Sequence, residues 1–437
     1  MATRRVRARN APVPAPGTVV EITGLSHEGR GIARLAGKTM FVEDALPGES
    51  VRFRLLKRRR EYDEAQVTEV LLASPQRVEP RCGHFGICGG CALQHLAPEA
   101  QVAAKQQTLL DNLERIGGLK PRTVAAPLLG PVWGYRRRAR LSAYREPGGK
   151  VLVGFTERHR HRVTDVWHCH VLDPRVGGLI DKLSELLSSF SIPDKIPQVE
   201  VAAGDDDVVL VIRVMAPSSD TDRKQLQSFG ERHGIRIVLQ GEGDSPELTY
   251  RLPESDVTIS FQPADFIQVN GEMNRRLVKL ALDALDPKPD EDVLDLFSGL
   301  GNFTLPLARR ARSVTGVEGE VGLVARARQN ATRNGIANAD FELANLFDAK
   351  QHGTWAKRQY ARILLDPPRA GAREVVAQFP HFDAHRIVYV SCHPATLARD
   401  AKMLVEQGWT LARAGILDMF PHTTHVESMA VFERGKA

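Results

Sequence analysis

The sequence predicts an α/β protein in which a doubly wound parallel sheet fills residues 263–437, behind a small antiparallel barrel and a β-rich middle segment. Three observations carry this expectation. From Phe266 onward, β-branched runs alternate with helical stretches at the spacing of a parallel sheet with crossover helices. Between residues 17 and 72, four β-branched runs are separated by glycine-containing turns, as in a short-stranded barrel. The charge is also divided unevenly. Residues 1–170 carry 28 Lys and Arg against 16 Asp and Glu, while the remainder is net acidic, so the basic portion is expected to face a polyanion. At 437 residues, 42% apolar and 26% charged, the chain is long enough for several cores and is not mainly disordered. It has no run of about 18 apolar residues, so no membrane span is expected.

In residues 1–16, Arg4, Arg5, Arg7 and Arg9 are followed by Pro12, Pro14 and Pro16, with no apolar stretch behind them. This is expected to be a flexible basic arm and not a secretory signal, which makes the cytoplasm the expected location. An organellar presequence shares the arginines, but the prolines oppose its amphipathic helix. Residues 17–74 hold the barrel runs Thr18–Ile22, Thr39–Val42, Ser50–Leu55 and Ala65–Leu71, with Arg52 and Arg54 sharing a face that leads into Lys57–Arg60. With Gly24, His27, Gly29, Gly31 and Ala33 in its first loop, this segment resembles the TRAM domain, an OB-like RNA-binding module. Residues 75–262 begin with a cysteine-rich stretch and a helix from Glu99 to Ile116, expected to pack on the last segment. Strands Ala139–Tyr144, Val151–Thr156 and Val208–Val214 follow, with a helix over Val176–Ser189. In residues 263–437 the expected strands are Asp292–Leu296, Ser313–Glu318, Ala361–Asp366, Arg386–Ser391 and Ser428–Phe432. The expected helices are Gly271–Leu285, Phe303–Ala311, Val321–Asn334, Gly371–Phe379 and Ala395–Gln407.

The first of those strands runs into Phe297-Ser298-Gly299-Leu300-Gly301-Asn302-Phe303. Glycines two apart after the first strand let backbone approach a ligand at the carboxyl edge. A dinucleotide site needs a third glycine three residues on, and position 304 is Thr, which disfavours a pyrophosphate. The next strand ends in Glu318, placed to accept from ribose hydroxyls. A nucleoside without diphosphate is the expected ligand. Here the chain resembles the class I S-adenosylmethionine methyltransferases. Asp295–Phe303 is similar to the first motif of the RNA 5-methyluridine branch, as is Phe261–Asn270 to a motif preceding its donor domain. The resemblance implies that Gln268, Phe297, Asn302, Glu318, Asn345 and Asp366 line a pocket for S-adenosyl-L-methionine.

Two further strand tips carry Asp366-Pro367-Pro368-Arg369-Ala370-Gly371 and Ser391-Cys392-His393-Pro394. Amino methyltransferases use Asp-Pro-Pro without a cysteine, so the thiol points to other chemistry. Pyrimidine C5 is a poor nucleophile, and a thiolate that adds to C6 activates it. Cys392 fits that thiolate, given a depressed pKa or a neighbouring base. The same family resemblance places the base that removes the C5 proton at Glu427, in His422-Thr423-Thr424-His425-Val426-Glu427-Ser428. Its pKa is expected to be raised by burial.

Cys82, Cys88 and Cys91 fall within ten residues among glycines, which indicates metal. With Cys392 reserved, Cys169 is the remaining thiol for a fourth ligand. Thiolates alone leave tetrahedral zinc, with His84 or His168 as substitutes, and a [4Fe-4S] cluster both open. The spacing resembles the cluster of the ribosomal uridine methyltransferases, which implies iron-sulfur. Arg136, Arg137, Arg138, Arg140, Arg158, Arg160 and Arg162, interleaved with Tyr135, Tyr144, Phe155 and Trp167, suit looped RNA. Together the motifs resemble the 23S rRNA branch of the uracil-C5 methyltransferases, with 23S rRNA as the partner and a monomer expected. Alternatives are the same chemistry on tRNA or another rRNA uridine, or a non-catalytic RNA-binding iron-sulfur protein.

Overall fold

The structure is a computed structural model that describes residues 14–15, 17–243, 245–348 and 353–435; the basic arm otherwise lies outside the described residues. Two compact units are present: residues up to Ala104 with His422–Thr424, and Lys105–Pro421 with the residues from His425 on.

In the first unit, β1 (Val19–Glu21), β2 (Gly24–Leu25), β3 (Gly31–Leu35), β4 (Lys38–Glu43), β5 (Ser50–Arg58) and β6 (Tyr62–Leu72) form a sheet in the order β1-β5-β6-β4-β3-β2. Alternation along β3, β4 and β5 puts Ala33, Met40, Val42 and Val51 into a core with Val20, Ile22, Ala45 and Ala65. The glycine-rich stretch from Gly24 to Ala33, expected as a loop, contributes β2 and most of β3. Gly31 sits so close to Ile22 and Ala45 that a Cβ there would meet both within 3.0 Å, so only glycine lets this strand pack. Arg52 and Arg54 are exposed on β5, where Arg52 pairs with Glu69 and Arg54 donates to Gln66. The Cys82–Cys91 loop has no regular structure, and α1 (Pro98–Asn112) follows, closed by one π-helical turn over Leu113–Gly117.

The second unit continues through β7 (Thr123–Val124), β8 (Arg138–Arg145), β9 (Val151–Gly154), α2 (Pro174–Gly177), α3 (Ile180–Ser188), β10 (Gln198–Ala203), β11 (Val208–Arg213), α4 (Asp220–His233) and β12 (Arg236–Leu239). Among the described residues these make a five-stranded sheet, β12-β11-β10-β8-β9, packed on α3 and α4. The helix expected over 176–189 is broken between α2 and α3, at the paired Gly177 and Gly178. A hairpin of β13 (Leu248–Leu252) and β14 (Val257–Phe261) leads into α5 (Gly271–Leu285).

Then come β15 (Asp292–Leu296), α6 (Thr304–Ala308), β16 (Ser313–Glu318), α7 (Val321–Arg333), β17 (Ala339–Leu343), β18 (Arg362–Leu365), α8 (Arg373–Val376), β19 (Arg386–Ser391), α9 (Pro394–Glu406), β20 (Thr410–Leu417) and β21 (Glu427–Glu433). Their sheet has the order β17-β16-β15-β18-β19-β21-β20-β7. It is parallel from β17 to β19, with β21 antiparallel to both neighbours. The doubly wound sheet is therefore present, with β17 and β20 added to the expected strands. The helix expected over 371–379 shortens to one turn, followed by a 3-10 turn over Phe379–His381, because Pro380 has no N–H to bond the Val376 carbonyl four residues back.

Candidate active site

Strand order reverses between β15 and β18, so the connections leave their carboxyl ends in opposite directions and open a crevice there. Phe297 and Asp366 are the first residues past those two strands, and Leu296 and Leu365 are paired neighbours. Phe297 has φ +64°, unusual for an aromatic residue, and Gly299 (+54°) and Gly301 (+90°) complete a tight turn. The ring of Phe297 packs against Phe347, with centroids 5.7 Å apart.

Glu318, at the tip of β16, clamps this turn. Its Oε2 accepts from the Gly299 N–H at 3.0 Å, and its Oε1 accepts from Gly319 N–H (2.7 Å) and Glu320 N–H (3.0 Å). A carboxylate has about four acceptor sites, so about one remains, on Oε2, for a ligand hydroxyl. Asn302 is also engaged: it exchanges two hydrogen bonds with Asn274 (2.9 and 3.0 Å) and accepts from the Tyr250 hydroxyl at 3.0 Å. It braces the turn from within. Asn345 is exposed, its Oδ1 accepting from Phe347 N–H at 3.1 Å. Phe347 is the aromatic partner that the sequence reading did not single out; its place two residues after Asn345 was the available signal.

Gln268 and Asp366 meet directly, with Gln268 Nε2 donating to Asp366 Oδ2 at 3.1 Å. Burial pushes the Asp366 carboxyl up to about 7, partly opposed by that hydrogen bond. Asp295, buried beneath the turn, is likewise raised to about 7 by burial. The Thr304 hydroxyl donates to its Oδ2 at 2.5 Å, and its Oδ1 has no hydrogen-bond partner.

The Ser391–Ser428 pair closes the β19–β21 ladder, which puts Cys392, just past β19, near Glu427, the first residue of β21, close enough for the Glu427 charge to act on the thiol. Glu427 is 2% exposed and its Oε1 has no hydrogen-bond partner. Burial, then the charge of Asp366, raises its pKa well above the carboxylate range. Cys392 is half-buried, and its thiol is pushed up to about 11 by burial, then by Glu427 and Asp366, while Arg369 acts in the opposite sense. The thiol pKa is therefore raised and not depressed, with the Glu427 carboxyl as its neighbour. A thiolate here would also lie just ahead of the α9 N-terminus, where His393 is the cap. Arg369 Nη2 lies 3.0 Å from His425 Nδ1.

The arginines of the middle segment divide. Arg140, Arg160 and Arg162 are exposed, as are Tyr144 and Trp167 (55%), while Arg158 is half-buried. Arg137 and Tyr135 are buried, which corrects the expectation that the whole group faces RNA. The cysteines at 82, 88, 91 and 169 are each half-buried, and Cys88 Sγ accepts from Gly90 N–H at 3.4 Å. Among the described residues no three His, Cys, Asp or Glu side chains converge as a metal-holding group. No described helix is long and apolar enough to cross a membrane.

A doubly wound sheet with antiparallel β21 inserted between β19 and β20, a glycine turn at β15 and an acidic tip at β16 defines a class I S-adenosylmethionine-dependent methyltransferase. Residues 98–435 match the tRNA (Uracil-5-)-methyltransferase family and residues 18–68 match the TRAM domain. The chain belongs to the tRNA (uracil-5-)-methyltransferase family. It is 53% identical over 428 residues to the 23S rRNA (uracil(1939)-C(5))-methyltransferase RlmD of Stenotrophomonas maltophilia (strain R551-3), covering 95% of this chain and 96% of that one. The protein of the same description from Methylococcus capsulatus is 48% identical, covering 98% and 99%. The crystal structure of Pyrococcus abyssi tRNA (uracil-54, C5)-methyltransferase with S-adenosyl-L-homocysteine superposes with a TM-score of 0.72 at 24% identity, covering 95% of this chain and all of that one. That likeness is one of fold.

Proposed function

We propose that the protein methylates C5 of a uridine in 23S rRNA through a covalent adduct on Cys392. The observation that carries this is the proximity of Cys392, Glu427 and Asp366 at the shared end of β19 and β21. S-adenosylmethionine, when bound, supplies an electrophilic methyl carbon. Cys392 Sγ, its proton released to solvent, forms a bond to C6, which drives the C5=C6 electron pair toward O4 and makes C5 the nucleophile. Once a C5–methyl bond has replaced the methyl–sulfonium bond, Glu427 takes the C5 proton, and the returning electron pair re-forms C5=C6 and expels Sγ. Glu427, buried with a raised proton affinity, suits that transfer near neutral pH. Glu318, Asn302, Phe297 and Asn345 form and support the donor side, while Gln268 and Asp366 join the donor and acceptor sides.

Support for the rRNA target comes from the two relatives at about half identity along their whole length. The archaeal tRNA enzyme also spans the barrel, so the barrel alone does not separate the two targets. In this reading residues 17–74 are the TRAM RNA-binding barrel, 75–262 a second RNA-binding segment and 263–437 the methyltransferase domain, with the exposed arginines and Trp167 gripping splayed RNA. Cys82, Cys88, Cys91 and Cys169 are assigned as ligands of a [4Fe-4S] cluster. The all-thiol donor set and the crowding of three in one loop support this assignment, and no step of the reaction passes through the cluster. Iron and sulfide in anaerobically purified protein test it, and stoichiometric zinc without sulfide overturns it. For the reaction, 23S rRNA fragments carrying tritium at uridine C5 should release one tritium per methyl incorporated. Release from tRNA but from no 23S fragment selects the tRNA reading, and release from no RNA refutes the chemistry.

A further inference from the structure

We propose that Arg137, a buried cation of the middle segment, is a positioning residue that holds Gln268 and Asn302, and with them both sides of the reaction crevice, in register. The proposal rests on the function above and adds a residue to it. Arg137 is 5% exposed and immediately precedes β8. Its backbone N–H donates to Val269 carbonyl at 2.8 Å, its carbonyl accepts from Ala203 N–H at 2.8 Å, and its Nε donates to the Gln268 carbonyl at 3.2 Å. Its neighbours hold the same segment. Arg136 bridges to Asn270, and Arg138 Nη2 donates to the Ala264 carbonyl at 2.9 Å. Gln268, fixed in this way at its backbone, reaches Asp366 with its side chain.

On the other side the Arg137 guanidinium lies over the ring of Tyr250, 4.6 Å from the centroid, and the Tyr250 hydroxyl donates to Asn302 Oδ1 at 3.0 Å. A continuous set of contacts therefore runs Asp366, Gln268, Arg137, Tyr250, Asn302. A Cβ on Gly271, the first residue of α5, would come within 2.8 Å of the guanidinium, so a larger residue there would push the cation aside. The charge is balanced by Asp205, 3.6 Å away, which also pairs with Arg275 at 2.8 Å. Arg137 Nη2 has no hydrogen-bond partner. A buried ion pair is often no more stabilising than a well-packed apolar group, so folding alone is a weak reason for a guanidinium here. Fixing two functional amides from one rigid planar group is a stronger one.

The test uses the full chain with Arg137→Lys, Arg137→Met and Tyr250→Phe. It measures melting temperature, S-adenosylhomocysteine affinity by calorimetry, affinity for an rRNA fragment, and kcat with KM for the donor. Arg137→Lys keeps the charge but loses the fork. It should weaken S-adenosylhomocysteine about tenfold and lower kcat about 100-fold, with RNA affinity within about twofold of wild type. Arg137→Met should fall at least as far in both. Tyr250→Phe, which removes one hydroxyl, should weaken S-adenosylhomocysteine about fivefold. Arg137→Lys that equals wild type in both ligand affinity and kcat overturns the proposal. A loss of RNA affinity alone does so too, because it makes Arg137 an RNA contact. If Arg137→Lys does not fold, an unchanged ligand affinity in Tyr250→Phe overturns it instead. Wild-type protein that binds no S-adenosylhomocysteine refutes the methyltransferase reading and the proposal with it.

Discussion

Asp366→Asn should stabilise the protein, and by an amount that grows with pH. Asp366 is raised from 3.8 to about 7 by burial, with the Gln268 hydrogen bond pulling weakly the other way. The folded chain thus keeps a proton that the unfolded chain releases between about pH 4 and pH 7. Because the folded-state pKa is the higher one, the stability linked to this proton is complete below about pH 4 and is lost as pH rises through about 7. Roughly three pKa units at about 1.4 kcal/mol each set the cost at about 4 kcal/mol at pH 8, against about 2 kcal/mol at pH 5. Asparagine is neutral throughout and keeps an oxygen for Gln268 Nε2. The gain of the variant over wild type should therefore grow by roughly 2–3 kcal/mol between pH 5 and pH 8. Denaturant unfolding of both proteins at the two pH values measures it. A gain that is equal at both, or larger at pH 5, would show that burial does not hold this carboxyl protonated.

Alkylation of Cys392 by iodoacetamide, followed on its own peptide by mass spectrometry, should still be accelerating at pH 10, since the thiol is raised to about 11; a plateau by pH 9 contradicts this. Lys105→Met breaks a buried pair with Asp418 at 2.7 Å. It should cost about 3–5 kcal/mol in unfolding measurements, most of it recovered by adding Asp418→Leu. Glu318→Gln puts an amide where three N–H groups need acceptors, so S-adenosylhomocysteine should bind at least about tenfold more weakly in calorimetry, with the melting temperature little changed.

The tips of β15, β16 and β19 were legible because Val, Ile and Leu runs stop where a turn residue begins, and α5 because its apolar stripe is regular. The edge strand β17 was not, since Ala339–Leu343 carries two acids in five residues and lacks a buried-strand pattern. Helix α4 buries little beyond Leu226 and Phe229, so its periodicity is faint, yet the Ser219–Asp222 capping box marks its start. The proximity of Cys392 to Glu427 could not be read from spacing, because β21 inserts between β19 and β20 out of chain order. Only the family resemblance reached it. Arg137 was legible and was overlooked. At period two it shares a face with Ala139, Leu141 and Ala143, all buried, while Arg136, Arg138 and Arg140 alternate with it toward the outside.

Covalent attack by Cys392 is tested most directly with rRNA fragments in which 5-fluorouridine replaces uridine. Fluorine cannot leave C5 as a proton does, so with S-adenosylmethionine the methylated ring should stay attached to the protein. A denaturation-resistant adduct is expected, mapped by mass spectrometry to the peptide holding Cys392 and absent in Cys392→Ala. No adduct on any 23S fragment, or an undiminished one with Cys392→Ala, would contradict it.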